Sequence, residues 1–492
     1  MTDATLPTTP VRTAVSLQLR SWRQSIFLSL CSGILMALAQ PALVDMGWLA
    51  WIGLVPVLVA LAGQPVRRHL WIALPCGILW SLGAHVWYPT MFGWASGMLL
   101  IIMVGFFYAA LLQAGMVLAV RLPPSFHIVG PPLAWTALEF VRTVMPVAGD
   151  WWFEVLAKTQ WRFPPALQIV TLTGLPGLSF VIVLVNAALA AMLVVAWRKR
   201  VAWSAVLGLG SVVLVLASGW WVIRPSPAET VRIGVIVDLA NQREPAQPAV
   251  LERDVALTRM LAAQQPQLVV WPENELATVD EPALRLAIGQ LTQALNAFIV
   301  ADMVWPTPAG LHDTAVLFGP DGAEAGRQAK INVTGEERAQ GFIDGQRRFP
   351  VYPTPLGSIG LGVCYDRHTP DITRQLARAG ARIVAMPADD DFAANPWFPR
   401  THAADTVVRA VENRVAFAVS NTSGIAIVVD PYGRITAESG VNQITALIGE
   451  TVVSHERTLY TRAGDWFGWL IVGVASILML ARRPGHHNGR GQ

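Results

Sequence analysis

Charged residues are spread very unevenly along this chain, and their distribution restricts what it can fold into. Residues 26–223 hold only 13 of the 69 Asp, Glu, Lys and Arg side chains, and none lies between Arg68 and Arg121. One span of a bilayer needs about 20 apolar residues, because a helix rises about 1.5 Å per residue across a hydrocarbon core of about 30 Å. The first half of the chain is therefore predicted to be a group of membrane-spanning helices.

Seven apolar segments are candidate spans, and the basic residues add an eighth. The seven are 26–44, 47–63, 70–89, 98–120, 176–197, 201–223 and 466–481. Cytoplasmic loops carry an excess of Lys and Arg, and a further span at 128–145 is needed to put every basic cluster on the cytoplasmic side. We therefore expect eight membrane-spanning helices. The chain is predicted to begin with a cytoplasmic segment at 1–25 and a bundle of seven spans at 26–223. An exported domain at 224–465, a last span at 466–481 and a cytoplasmic tail at 482–492 follow.

The composition excludes several classes of function. Charged residues make up 14% of the 492-residue chain and hydrophobic residues 53%, whereas ordinary soluble domains are about 25% charged. The net charge of +3 is small and no Lys/Arg patch suggests a nucleic-acid partner. Three cysteines form no disulfide framework, the nine histidines have no zinc spacing, and the carboxylates of 389–391 lack further ligands. We expect no nucleic acid, no metal and no cofactor.

Residues 229–462 show the alternation of short apolar runs and helical patterns that is typical of a layered α/β domain. A helix is predicted at 401–413 and a turn at 430–433. Strands are predicted at 231–237, 267–271, 298–302, 314–318, 359–363, 381–386, 415–420 and 425–429.

Three residues of this domain have side chains that acyl-transfer chemistry can use. Cys364 ends a glycine-rich strand and precedes a predicted helix start, where the helix N-terminus favours the reactive thiolate. Glu273 follows a buried strand, and Lys330 lies 57 residues after Glu273 and 34 before Cys364. Taken singly, each has an ordinary alternative: Cys364 could be an inert buried thiol, Glu273 a charge in a loop and Lys330 a charge on the surface.

As a set, the three residues are more specific. Glu273 can act as general base for the Cys364 thiol, and the Lys330 ammonium can stabilise a tetrahedral oxyanion. His368, four residues after Cys364, is an alternative partner for the thiol. We interpret it as a rim or helix-face histidine, because the glutamate and the lysine already fill the two roles.

The order Glu273, Lys330, Cys364 and the strand spacing resemble the nitrilase (carbon–nitrogen hydrolase) superfamily. Nearly the whole chain resembles one membrane-bound family within it, the apolipoprotein N-acyltransferases. The segments that carry this resemblance are 48–58, 135–142, 177–186, 271–274, 364–366, 420–424 and 458–466. The family's fold, a helical membrane bundle of eight spans with an exported nitrilase-like α-β-β-α sandwich, agrees with the topology expected from the basic residues.

The resemblance implies a ping-pong reaction with Glu273, Lys330 and Cys364 as the catalytic residues. Cys364 would attack the sn-1 ester of a phospholipid, typically phosphatidylethanolamine, and release lysophospholipid. The resulting thioester would then acylate the α-amine of the N-terminal S-diacylglyceryl cysteine of an apolipoprotein. The resemblance also implies a multi-pass protein of the bacterial inner membrane, with its catalytic domain on the periplasmic side. We expect the protein to act as a monomer.

The sequence departs from the family pattern in the loops after Lys330 and Pro387. The expected second glutamate aligns with Glu336 through Gly335, with Glu337 as the alternative. Tyr365 and Asp366 match the family's supporting positions, although an aspartate stands where a glutamate is usual. These differences keep a second function open, a membrane-tethered amidase or acyltransferase with a different acceptor. A catalytically dead membrane scaffold is not favoured, because all three catalytic residues are present.

Overall fold

The computed structural model describes residues 20–145, 154–194, 202–223, 230–239, 247–273, 282–390 and 395–481. Most of the predicted segment 1–25, the basic residues 198–200 and the predicted tail 482–492 lie outside these described residues.

The first half of the described chain is helical. Its α-helices are α1 Trp22–Leu38, α2 Val55–Leu61, α3 Val66–Ala84, α4 Tyr88–Phe92, α5 Trp94–Ala119, α6 Gly130–Val144, α7 Pro164–Leu167, α8 Val170–Thr173, α9 Leu175–Leu193 and α10 Ala202–Val222. The second half adds α11 Gln247–Met260, α12 Pro282–Leu295, α13 Gly335–Ala339, α14 Pro370–Ala379, α15 Phe398–Asn413, α16 Leu459–Ala463 and α17 Trp466–Leu480.

Each of the eight predicted spans contains a described helix, but the helices differ in length. Two of them, α5 and α9, are long and apolar enough to cross a bilayer, and four apolar helices are shorter. The second predicted span is divided, because a 3₁₀ turn at Gly47–Trp51 precedes α2, which starts next to Pro56. The eight-span topology remains a prediction.

A polar side chain in the core of the bundle compensates for this interrupted helix. Asn186 of α9 is buried, and its Oδ1 accepts a hydrogen bond of 2.8 Å from the Leu54 amide. Its Nδ2 donates to the Ala50 carbonyl over 2.8 Å. Unpaired backbone groups are costly in an apolar interior, so Asn186 holds the break in place and joins α9 to the segment before α2.

The described strands form one twelve-stranded sheet. They are β1 Thr230–Val237, β2 Leu268–Val270, β3 Phe298–Thr307, β4 Gly310–Phe318, β5 Glu324–Ala329, β6 Val351–Tyr352, β7 Ile359–Leu361, β8 Ile383–Ala388, β9 Ala416–Asn421, β10 Ile427–Val429, β11 Ile435–Glu438 and β12 Thr445–Val452. All eight predicted strands are confirmed. The strands β5, β6, β11 and β12 were not predicted, because most of their residues are at least partly exposed and none contains an apolar run longer than three residues.

The sheet consists of two halves with a narrow junction. One half has the order β12-β1-β2-β3-β4-β5 and the other β11-β10-β9-β8-β7-β6. They are joined by the single pair Val237 and Asn421. The sheet folds back on itself, so that β2 and β3 approach β8 while β12 approaches β10 and β11. Helices α11 and α12 pack on the first half and α14 and α15 on the second, which gives the α-β-β-α layering of a nitrilase-like fold.

Candidate active site

The three predicted catalytic residues follow three different strands and come together in the structure. Glu273 lies just beyond β2, and its amide donates to the Ala388 carbonyl of β8 over 3.2 Å. Lys330 directly follows β5, and Cys364 opens a 3₁₀ turn at Cys364–Arg367 just beyond β7. The loop after β2 is thereby tied to the other half of the sheet, where Cys364 lies.

Lys330 is fully buried and contacts a set of carboxylates. Its Nζ lies 2.6 Å from Glu273 Oε1, 2.5 Å from Glu337 Oε1 and 3.4 Å from Asp313 Oδ2. Burial alone would lower the pKa of Lys330, but Glu273, Cys364 and Asp313 raise it well above its ordinary value. The lysine is therefore a fixed ammonium held by Glu273 and Glu337, and a fixed positive charge is what an oxyanion site requires.

Asp313 was not found by sequence reasoning. The strand was predicted to begin at Thr314, whereas β4 begins at Gly310 and includes Asp313. Its carboxyl is buried beside Asp302, and burial together with that neighbour raises the pKa of Asp313 well above its ordinary range. The Asp313 carboxyl lies 3.4 Å from the ammonium, and the carbonyl of the same residue accepts from the Lys330 amide over 2.8 Å. An acid directly before the strand predicted at 314–318 was the available signal.

The supporting glutamate that reaches Lys330 is Glu337, whereas the first choice from the sequence, Glu336, is exposed. Thr334 caps α13, and Glu337 is the third residue of that helix. In a capping box the third residue turns back toward the cap, and Glu337 Oε2 accepts from the Thr334 amide over 2.7 Å. The other oxygen of Glu337 contacts Lys330, whereas Glu336, one position earlier on the helix, faces solvent.

The adjacent glutamates form a matched pair for a test. We expect Glu337→Gln to slow the reaction of Cys364 with an acyl donor by about 10- to 10²-fold, because it removes a charge-assisted bond to the ammonium. Glu336→Gln removes the same charge one residue away and is expected to stay within about twofold. Single-turnover acylation rates measure both, and a larger loss in Glu336→Gln would contradict the assignment.

The Cys364 backbone is in an unusual conformation. Its φ is +42°, a region that non-glycine residues rarely adopt and that persists only where the surroundings fix it. The side chain is 8% exposed, and its Sγ lies 3.5 Å from the Asp389 carbonyl oxygen, to which it donates. A nucleophile on such a tight turn projects away from the sheet into the space beyond it.

Asp366 fixes this turn to the segment that follows Lys330. Its buried carboxylate accepts from the Val363 amide over 3.2 Å, from the Ile331 amide over 3.1 Å and from the Asn332 amide over 2.9 Å. Burial raises the pKa of Asp366 to about 6, against the opposing effect of these amides. The nucleophile turn and the lysine are thereby held by one side chain. Tyr365 is half-buried and packs against His368, with 5.3 Å between the ring centroids.

The thiol of Cys364 does not have the environment that the sequence suggested. Burial raises the pKa of the thiol well above its ordinary value, and Glu273 raises it further, while Lys330 opposes them. The helix start expected after the strand is a turn of only four residues, and the sulfur is desolvated, so the local environment favours the thiol over the thiolate. A neutral thiol has to lose its proton during attack, so a base beside it is required.

The pH dependence of alkylation measures this state. We expect the rate at which iodoacetamide labels Cys364 to keep rising with pH beyond 9, because the folded thiol has a raised pKa and little thiolate exists below it. Peptide mass spectrometry can follow Cys364, with the half-buried Cys31 as an internal reference. A plateau already reached at pH 7 would indicate a preformed thiolate–ammonium pair instead.

The carboxylates around Lys330 also have the geometry of a cation site. Within the described part of the chain, Glu273, Asp313 and Glu337 form the one group of possible metal ligands, with ligand atoms within 4.8 Å of one another. The Lys330 ammonium contacts all three. The positive charge that this group would bind is therefore supplied by the protein itself.

Two family models match separate parts of the chain. The apolipoprotein N-acyltransferase N-terminal domain matches residues 32–188, and carbon-nitrogen hydrolase matches residues 236–458. The apolipoprotein N-acyltransferase of Geobacter metallireducens is 28% identical over 512 residues, which cover 94% of this chain and 97% of the relative. The chain belongs to the apolipoprotein N-acyltransferase family. The family member from Gloeobacter violaceus is also 28% identical, over 93% of this chain and 94% of its own.

Other similar proteins match the α/β half of this family member. A deaminated glutathione amidase of Synechocystis is 27% identical over 226 residues, which cover 39% of this chain and 81% of the amidase. Among solved structures, a nitrilase-superfamily amidase from Nesterenkonia is 21% identical with a TM-score of 0.41 and covers 49% of this chain and 96% of its own.

Proposed function

We propose that this family member is a phospholipid-dependent N-acyltransferase. It would transfer a fatty acyl chain, through a thioester on Cys364, to the α-amine of the S-diacylglyceryl cysteine at the N-terminus of an apolipoprotein. The observation that carries the proposal is the buried contact of 2.6 Å between the Lys330 ammonium and Glu273, next to a cysteine on a tight turn. Relatives named apolipoprotein N-acyltransferase along nearly the full length of the chain support the acyl-transfer direction.

The first half-reaction forms the thioester. The Glu273 carboxylate takes the proton of the Cys364 thiol while sulfur bonds to the ester carbonyl carbon, and its raised pKa, caused first by burial, makes it a stronger base. The carbonyl oxygen becomes an oxyanion beside the Lys330 ammonium. Collapse breaks the ester C–O bond, Glu273 returns the proton to the glycerol oxygen, and lysophospholipid leaves.

The second half-reaction uses the same groups in the opposite direction. The lipoprotein amine attacks the thioester carbonyl, and Glu273 accepts the proton that the amine loses. The C–S bond breaks, and the proton passes to sulfur, which restores the thiol. A thioester reacts with an amine more readily than the original ester does, so dividing the transfer into two steps helps. Glu337 and Asp313 would keep the ammonium charged and in place throughout.

The proposed topology puts this chemistry at the outer surface of the inner membrane. Residues 26–223 and 466–481 would form eight spans, with 1–25 and 482–492 in the cytoplasm and 224–465 exported as the nitrilase-like domain. The excess of basic residues on one side of the spans supports this orientation. Both substrates are anchored in the bilayer, so a monomer whose bundle holds the active site at a fixed height needs only a two-dimensional search.

The product decides between this function and an amidase with another acceptor. Purified full-length protein is incubated with phosphatidylethanolamine that carries a labelled sn-1 chain and with a diacylated lipopeptide. We expect labelled N-acyl lipopeptide and none from the same lipopeptide with an acetylated α-amine. Hydrolysis of short amides with no N-acyl product would overturn the proposal in favour of the amidase.

A further inference from the structure

A lysine of the helical bundle is buried against the α/β domain. Lys158 lies in a 3₁₀ turn at Leu156–Gln160 and is 2% exposed. Its ammonium forms an ion pair with Asp405 of α15, which is fully buried. Two charges are removed from water together only at a high desolvation cost, and removing one partner of such a pair is strongly destabilising. The contact is therefore a strong constraint on how α15 sits relative to the bundle.

The bundle holds the backbone around this lysine at several points. Glu139 of α6 accepts from the Leu156 amide over 2.9 Å, and Ser179 of α9 accepts from the Ala157 amide over 3.2 Å. Arg142 of α6 donates to the Glu154 carbonyl over 3.0 Å. The turn that carries the lysine is thus bonded to two helices of the bundle and has little freedom to move on its own.

The ion pair continues to the nucleophile turn. The second carboxylate oxygen of Asp405 lies 2.9 Å from His368 Nδ1. His368 ends the Cys364–Arg367 turn, and its amide donates to the Tyr365 carbonyl over 3.0 Å. The histidine is fully buried and lies between the turn and α14, so the interpretation as a rim or helix-face histidine is wrong. Burial would raise the pKa of Asp405, but Lys158 and His368 lower it below its usual range, so the bridging carboxylate is ionised.

We infer that the chain of contacts Lys158–Asp405–His368 is the link by which the membrane bundle sets the position of the Cys364 turn. His368 is a positioning residue in this account and does not take the thiol proton. The inference rests on the proposed role of Cys364 as nucleophile. The φ of +42° at Cys364 is a conformation that its surroundings have to impose. Asp366, Arg367 (which pairs with Asp390) and His368 are side chains that hold the turn.

The experiment changes the end of the link that touches the turn and leaves the ion pair intact. In the full-length protein, His368→Leu removes the bond to Asp405, whereas His368→Asn keeps a donor near the position of Nδ1. We expect His368→Leu to slow acylation of Cys364 by about 10- to 10²-fold, the cost of a displaced reacting group, and His368→Asn to recover to within about threefold of the parent.

A second measurement, the rate of Cys364 alkylation, does not depend on any lipid substrate. We expect iodoacetamide to label Cys364 at least about fivefold more slowly at pH 9 in His368→Leu, because a displaced sulfur loses the influence of Lys330 on its ionisation. This result holds even if the acyl donor is not a phospholipid, so failure of the link and failure of the proposed function are distinguishable. Labelling of Cys31 in the same sample is expected to be unchanged.

A control removes a different contact between the bundle and α15. Gln168 accepts a hydrogen bond of 2.7 Å from Arg414, at the far end of α15, and Gln168→Met is expected to leave Cys364 labelling within about twofold. Lys158→Arg preserves the ion pair and is expected to behave like the parent. The inference is overturned if His368→Leu keeps parental labelling and acylation rates, or if Gln168→Met reduces them equally, because the contacts would then be general packing.

Discussion

Replacing Cys364 with serine is expected to reduce acyl transfer by at least about 10³-fold, as removal of a catalytic nucleophile does in other enzymes. A hydroxyl is a far weaker nucleophile than a thiolate. It is also less acidic than a thiol, so the proposed base Glu273 would remove its proton less readily. Cys364 is 8% exposed, and its sulfur donates to the Asp389 carbonyl over 3.5 Å. A hydroxyl of similar shape can keep that contact, so we expect the thermal unfolding midpoint in detergent to change by no more than a few degrees.

Cys31→Ser is the matched control for this substitution. Cys31 is a half-buried cysteine of α1 in the bundle, and its replacement is expected to leave the rate within about twofold of the parent. Turnover of Cys364→Ser at more than a tenth of the parental rate would exclude a thioester on that residue.

Replacing Lys330 with methionine is expected to reduce acylation by at least about 10²-fold, because the ammonium proposed to stabilise the developing oxyanion is lost. The structure adds an expectation about stability. Three carboxyl groups, two of them buried, would remain without the ammonium that they contact, and breaking a buried ion pair costs about 3–5 kcal/mol. Methionine keeps most of the apolar stem, so the loss is electrostatic.

The two effects of Lys330→Met need separate measurements. Denaturant unfolding gives the change in stability, and single-turnover acylation at a temperature where the variant is folded gives the catalytic change. Arg338→Met, on α13, removes a cation paired with Asp344 at the surface and is expected to change neither by much. A loss of acylation below about threefold would reassign Lys330 to a structural role.

The sequence identified candidate residues directly after apolar strands. It missed a residue inside a strand and chose the wrong one of two adjacent residues in a loop. Buried strands such as β2 and β7 are continuous apolar runs, so the residues after them, Glu273 and Cys364, could be identified as candidates. Asp313 was missed because it lies inside β4, in a part of the strand that does not look apolar. The choice between Glu336 and Glu337 depended on where a five-residue helix is capped. Moving the cap by one residue would exchange the positions of the two glutamates.

Contacts between the two halves of the chain could not be predicted. Lys158 and Asp405 are separated by 247 positions, and each alone has an ordinary interpretation, a basic residue near a span and an acid on an amphipathic helix. The state of the Cys364 thiol also depended on three-dimensional information. The sequence indicated a helix start after the strand, but the fold supplies a four-residue turn on which the cysteine is buried, and desolvation outweighs the weak dipole of so short a turn.

The most direct test is mass spectrometry of the full-length protein before and after each substrate. With phosphatidylethanolamine alone, we expect a fatty-acyl adduct that maps to the peptide containing Cys364 and is removed by neutral hydroxylamine. Addition of a diacylated lipopeptide should discharge that adduct and produce one equivalent of N-acylated lipopeptide. An adduct on another residue, or formation of the N-acylated product while Cys364 remains unmodified throughout a single turnover, would contradict this expectation.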